Sequence, residues 1–178
     1  GDWSSDVCSS DLVLDLGICT TGAVYHACWT LDVQGGVMVT ASHLPMPTHN
    51  GFKMCEGTLP LAGEDIQRLK ACFLEGDFQL GEGLRTEQPY MSTYLDAILE
   101  SVGPLARPVR VAVDAGNAVP GPYLVEVLKR LGAEVHDVHC TWDASEPNHG
   151  ADPTRPKNMV DLAALVGSTK AEFGLGSD

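Results

Sequence analysis

No stretch of this 178-residue sequence approaches the 18 or so consecutive apolar residues of a membrane-spanning helix, and no basic segment precedes an apolar one. Positive charge is scarce as well: 11 Lys and Arg stand against 24 Asp and Glu, for a formal net charge of −13. A nucleic-acid backbone needs a cationic surface, so nucleic-acid partners are excluded, and anionic membranes are disfavoured for the same reason. Any phosphate site must be locally positive, built from a few Lys or Arg side chains and backbone N–H groups. The six cysteines, at 8, 19, 28, 55, 72 and 140, contain no C-x-x-C pair. They read as reduced, mostly buried thiols of a cytoplasmic protein. G-x-G-x-x-G is missing too, which leaves Asp114 and Gly116 a weak dinucleotide signal.

What is present is ample material for a core, 44% hydrophobic residues, enough for one domain or two small ones. Residues 1–12 are a low-complexity Ser/Asp-rich stretch, expected to be a non-native or disordered tail, and receive no function. Residues 13–17 form a strand signal, 20–22 a turn, and 23–31 a short helix. Val37, Met38 and Val39 then supply a second strand, so the unit reads β-turn-α-β. A strand over 54–57, a helix over 63–74 with Ile66, Leu69, Phe73 and Leu74 on one face, a Gly/Glu-rich loop over 76–88 and a helix over 90–102 follow. Gly103 and Pro104 stop that helix and mark a domain boundary. Beyond it lies a regular β-α-β unit, with strands over 109–113 and 134–139 around a helix over 121–131. A Pro-rich turn at 147–156, a helix over 156–167 and a strand over 171–175 complete the pattern.

The stretch 35–53, G-G-V-M-V-T-A-S-H-L-P-M-P-T-H-N-G-F-K, concentrates the chemistry. A strand that ends in Ser42 and His43 delivers a hydroxyl beside an imidazole at the mouth of a sheet, where α/β folds place their chemistry. T-A-S-H-L-P at 40–45 with N-G-F-K at 50–53 resembles the active-serine loop of the phosphohexomutases, the phosphoglucomutase and phosphomannomutase family. The second block adds V-A-V-D-A-G-N, L-G-A-E-V, S-E-P-N-H-G-A-D-P and E-F-G-L-G-S-D, in the order that family has them. Departures are Gly22, Leu44, Glu146 and Ala151, and a spacer of four residues where the family loop has three.

This resemblance implies an α/β fold with mixed or parallel sheets flanked by helices, in two incomplete phosphohexomutase-type domains, 13–104 and 105–178. It further implies that the chain is a fragment of an enzyme interconverting hexose 1-phosphate and hexose 6-phosphate, inactive alone. In such an enzyme Ser42 carries the phosphoryl group, His43 and Lys53 surround it, and a hexose 1,6-bisphosphate is the intermediate. Mg²⁺ is the implied cofactor, with Ser42 and Asp178 as ligands. Asn148 and His149 are expected to be structural turn residues. His136 and His139 lie three apart on a strand, face opposite ways and cannot share a metal without a bulge. The rival readings are a non-catalytic α/β binding or scaffold module, with Ser42 a cap, and a small nucleotide-binding domain.

Overall fold

The computed structural model describes residues 12–76 and 83–178. The expected tail and Cys8 lie outside the described residues, apart from Leu12, which begins the first strand.

That strand, β1 (Leu12–Asp15), runs into a turn in which the Asp15 carboxylate accepts the Gly17 amide at 2.9 Å. Thr20 has extended dihedrals and its hydroxyl accepts the Ala23 amide, so it caps α1 (Thr21–Thr30). Small side chains let α1 lie close to its sheet: Ala23, Val24, Ala27 and Cys28 are its buried residues. Gly36 in β2 (Gly35–Val39) completes the fit, because a Cβ there would come within 2.6 Å of the Cys28 sulfur. β2 pairs antiparallel with β3 (Phe52–Glu56), and β3 pairs antiparallel with β4 (Leu59–Pro60). α2 (Glu64–Glu75) has the expected apolar stripe, yet Ile66, Leu69, Phe73 and Leu74 are all exposed. β5 (Leu84–Glu87) then returns to pair parallel with β1. The loop expected over 76–88 is thus interrupted by a strand. Four residues that alternate Leu84 and Thr86 with Arg85 and Glu87 are too short a pattern to stand out of a Gly/Glu-rich stretch.

α1 joins β1 to β2 as expected, but the two strands do not pair with each other. Between them lies a cleft of about 460 Å³, lined by Val13 and Asp15 on one side, Val37 and Val39 on the other, and Val24 and Ala27 of α1.

α3 (Met91–Val102) buries Met91 and Leu95 and packs on both α1 and the next helix, α4 (Pro120–Arg130). The Tyr90 hydroxyl fixes its start by bonding Thr30 Oγ1 at 2.6 Å and His26 Nδ1 at 2.9 Å. β6 (Arg110–Asp114) is the centre of the second block, flanked in parallel by β7 (Glu134–Val138) and β8 (Phe173–Gly176) in the order β7-β6-β8. Alternation along β6 sends Val111 and Val113 towards Leu124, Val125 and Leu128 of α4. Ala112 turns the other way, in register with Gly174 of β8. That face is covered by α5 (Val160–Thr169), which follows a 3-10 turn at Pro156–Met159. A Cβ on Gly174 would meet Val166 at 2.9 Å and Leu162 at 3.0 Å, so the glycine is what lets α5 settle. The block is a three-layer α/β/α unit.

The two blocks share packing. Val127 of α4 belongs to the buried cluster formed by Ala23, Val24, Ala27, Tyr90, Met91 and Leu95, and the Tyr123 hydroxyl donates to the Ile18 carbonyl at 3.2 Å. Among the described cysteines, Cys19, Cys28, Cys55 and Cys140 are buried and Cys72 is exposed, and all five are free thiols. Among the described residues no helix is long and apolar enough to cross a membrane.

Candidate functional site

The serine loop spans the gap between two paired strands. Val39 stands opposite Phe52, and the Thr40 amide donates to the Gly51 carbonyl at 2.9 Å, closing the loop at its base. Inside it, the Thr40 hydroxyl accepts the Ser42 amide at 3.0 Å and the Ala41 carbonyl accepts the Leu44 amide at 3.2 Å. Pro45 ends that turn, and its carbonyl accepts from both Thr48 and His49. Asn50 bonds the following amide through its own side chain, an Asn-Gly turn of the usual kind. Ser42 sits at φ 56°, in the left-handed region that residues with a Cβ occupy at a cost of roughly 1–2 kcal/mol. The side chain is exposed, so a hydroxyl is presented on a strained and pinned backbone.

The loop meets the second block. His43 Nδ1 lies 3.6 Å from Asp178 Oδ2, with both side chains partly open to solvent. The position of Asp178 follows from β6, because the Ser177 amide donates to the Asp114 carbonyl at 2.9 Å and extends the ladder to the residue before it. Met46 donates its amide to Glu146 Oε1 at 3.4 Å, a second bridge between the blocks. Asp152 belongs to the same wall. The Thr154 hydroxyl and amide, then Arg155, hold its carboxyl at about 2, and the charge of His43 adds to the effect. Lys53 is the second residue of β3, in register with Met38 and on the face that carries Cys55. It is exposed, and its ammonium forms no ion pair among the described residues. His49 is engaged within the loop, its Nδ1 2.9 Å from the Thr48 hydroxyl.

Of the four residues singled out from sequence, His43 and Asp178 approach each other, Ser42 precedes His43 in the same loop, and Lys53 stands on the strand that leaves the loop. Sequence reasoning missed Glu146 and Asp152 as neighbours of the loop. They lie about a hundred positions away from it, and only the packing of the second block's turn against the first block brings them near. Ser42 and Asp178 supply oxygen donors alone, the class that Mg²⁺ takes in its octahedral shell. They are two donors of the about six that such an ion holds, and both are accessible.

A family model described as phosphoglucomutase/phosphomannomutase, alpha/beta/alpha domain I, matches residues 11–80, and its domain II counterpart matches residues 92–178. The chain is 41% identical over 168 residues to a phosphoglucomutase of Neisseria gonorrhoeae, an alignment covering 93% of this chain and 36% of that protein. It is 36% identical over 166 residues to a phosphomannomutase/phosphoglucomutase of Pseudomonas aeruginosa, covering 93% of this chain and 35% of the relative. A crystal structure of a phosphoglucomutase/phosphomannomutase family protein from Burkholderia thailandensis superposes with a TM-score of 0.86 at 33% identity, over 92% of this chain and 37% of that one. The chain therefore spans about 36% of the length of the curated relatives it matches.

Proposed function

We propose that this chain, which belongs to the phosphoglucomutase/phosphomannomutase family, carries the phosphoserine side of a phosphohexomutase that interconverts hexose 1-phosphate and hexose 6-phosphate. Residues 13–104 contribute the serine loop and residues 105–178 the carboxylate that faces it. The observation that supports this reading is the approach of His43 to Asp178 beside the exposed, left-handed Ser42.

In the proposed cycle a sugar hydroxyl attacks the phosphorus of phospho-Ser42, and the bond from phosphorus to Ser42 Oγ breaks. Lys53 takes the proton of the attacking hydroxyl, and His43, oriented by Asp178, donates to the phosphoryl oxygens. The resulting hexose 1,6-bisphosphate turns over in the site. Ser42 Oγ then attacks the other phosphoryl group, the bond from that phosphorus to the sugar oxygen breaks, that oxygen takes back the proton held by Lys53, and the isomeric monophosphate leaves with Ser42 phosphorylated again. Glu146, Asp152 and Asp178 make this wall acidic, so an anionic substrate requires a cation there. Mg²⁺ held by Ser42 and Asp178, with further oxygen donors, would neutralise charge on the phosphoryl oxygens.

The test is intact mass and phosphosite mapping of the protein expressed from its full gene, after exposure to glucose 1,6-bisphosphate. One phosphate on Ser42, absent in Ser42→Ala, is expected. No phosphate, or phosphate elsewhere, would leave the chain a non-catalytic binding module.

A further inference from the structure

A second cluster of chemically competent side chains lies beneath the serine junction, at the end of β6. Asp114 has a fully buried side chain. Its Oδ1 accepts the Gly116 amide at 2.9 Å, and its Oδ2 stands 3.1 Å from His149 Nε2. The other nitrogen of that ring, Nδ1, is 3.0 Å from the Gly150 carbonyl. A carbonyl can only accept, so Nδ1 carries a proton. In the neutral ring Nε2 is then bare, and its lone pair faces a carboxylate oxygen. Two acceptors turned on each other need a cation between or beside them, either a proton or a metal.

His139 makes the same arrangement from the other side. Its Nε2 is 2.9 Å from Asp161 Oδ2 on α5, so the proton sits there and Nδ1 is left as the donor of an electron pair. The two rings meet edge to face, centroids 5.1 Å apart at 88°. One ligand atom from each of Asp114, His139 and His149 lies within 4.8 Å of the others. An imidazole whose far N–H is held by a carbonyl or a carboxylate has its tautomer and orientation fixed for coordination. Both histidines have such an anchor.

The geometry points to a binding site for a divalent transition-metal ion of the zinc class, formed by Asp114, His139 and His149. Two imidazoles and one carboxylate form a nitrogen-rich donor set that suits Zn²⁺, Co²⁺ or Ni²⁺ and not Mg²⁺, which takes oxygen. The site is therefore distinct from the oxygen donors of Ser42 and Asp178, and it does not depend on the mutase reading. Its ligands come from the end of β6, the residue after β7 and the turn that carries Asp152, while Asp161 adds α5 from behind. A bound ion ties these four pieces together under the wall of the serine junction. Without it, the proton takes its place on His149. Burial opposes that charge, but the Gly150 carbonyl, the Asp114 carboxylate and the charges of Asp114 and Asp161 outweigh it and raise the pKa of the ring.

Chelator-treated protein titrated calorimetrically with Zn²⁺ alone tests the site. One ion per chain is expected, undiminished by excess Mg²⁺ and lost in His139→Gln and in His149→Gln. Asp161→Asn, which weakens only the anchor of His139, should lower the affinity about 10- to 100-fold. His136→Gln and Cys72→Ser should bind as the parent does, since His136 pairs with Glu134 on another face and Cys72 is on α2. The His149 variant also loses the bond that holds its turn, so Co²⁺ absorption by the parent protein provides a second reading. Tetrahedral ligand-field bands without a thiolate charge-transfer band are expected. A thiolate band, no binding, or binding that survives His139→Gln would overturn the assignment.

Discussion

Val111, Ala112 and Val113 of β6 are 1%, 0% and 0% exposed, whereas Val13 of β1 and Val37 and Val39 of β2 are 53%, 60% and 55% exposed. Both sets are apolar, and both lie on strands joined by helical crossovers. What differs is the closure of the ladder. In the second block α4 returns the chain directly beside β6, and a third strand pairs on the other edge, so helices can cover both faces. In the first block α1 returns the chain across a cleft, and each sheet presents an edge to it. Apolar composition supplies the driving force, but paired neighbours decide whether a strand is buried. The serine loop belongs to the looser block, and the carboxylates that face it belong to the tighter one.

The largest expected effect separates the two blocks directly. Val113→Ala removes methyl groups from a fully buried position and should cost roughly 2–4 kcal/mol of unfolding free energy. Val37→Ala, at 60% exposure, should change it by less than about 0.5 kcal/mol. Urea denaturation with an unchanged slope reports both. Equal losses would mean that β2 is buried as deeply as β6.

The serine loop offers a finer contrast, because its strain can be released. Ser42→Gly removes the Cβ at φ 56° and should stabilise the protein by about 1 kcal/mol while abolishing any phosphoserine. Ser42→Ala should remove the same hydroxyl without that gain. If glycine stabilises no more than alanine does, the left-handed backbone stores no strain.

These contrasts bear on what could be read from sequence. The second block was legible because β6 is an apolar run buried almost throughout and the helices around it keep one buried side, so Met159, Leu162, Leu165 and Val166 turn inward as their spacing predicts. The stripe of α2 has the same spacing and remains exposed, since periodicity shows which residues share a face and not what covers it. β5 was missed for its length. The serine motif was legible as a string, and its approach to Asp178 was not, because it depends on packing between blocks. His139 and His149 were set apart for a related reason. Strand geometry does keep His136 and His139 on different partners, but β7 ends at Val138 and His139 turns to φ 51°, towards a residue in the turn beyond.

A pH series on metal-free protein probes the Asp114–His149 pair. The folded pKa of His149 is raised above its ordinary 6.5. Its contribution is fully present below that value and is lost as pH rises through the folded pKa. Stability of the parent protein should therefore fall with rising pH above about 6.5, more than in His149→Gln. Saturating Zn²⁺ should remove this fall, since the ion replaces the proton. A variant with the same slope as the parent would show that the pair contributes nothing.

The smallest effects lie at low pH, and one carboxylate–arginine pair from each block illustrates them. In the second block Arg107 holds Glu172, just before β8, at about 2, and the Arg110 amide and charges of both arginines assist. In the first, the Gly17 amide and then Arg85, which lies on β5, lower the carboxyl of Asp15 at the end of β1. Both folded pKa values are depressed, so the stabilisation is present above the unfolded values and is lost as pH falls through the folded ones. For Glu172 the window runs from 4.5 down to about 2. Glu172→Gln should flatten the acid side of the melting-temperature profile within that window. Asp15→Asn should act on the β1–β5 pair alone, which has two strands and no third to share the load, and should appear first as faster amide exchange there. Indistinguishable exchange in parent and variant would mean that the β1–β5 ladder is held by something other than this ion pair.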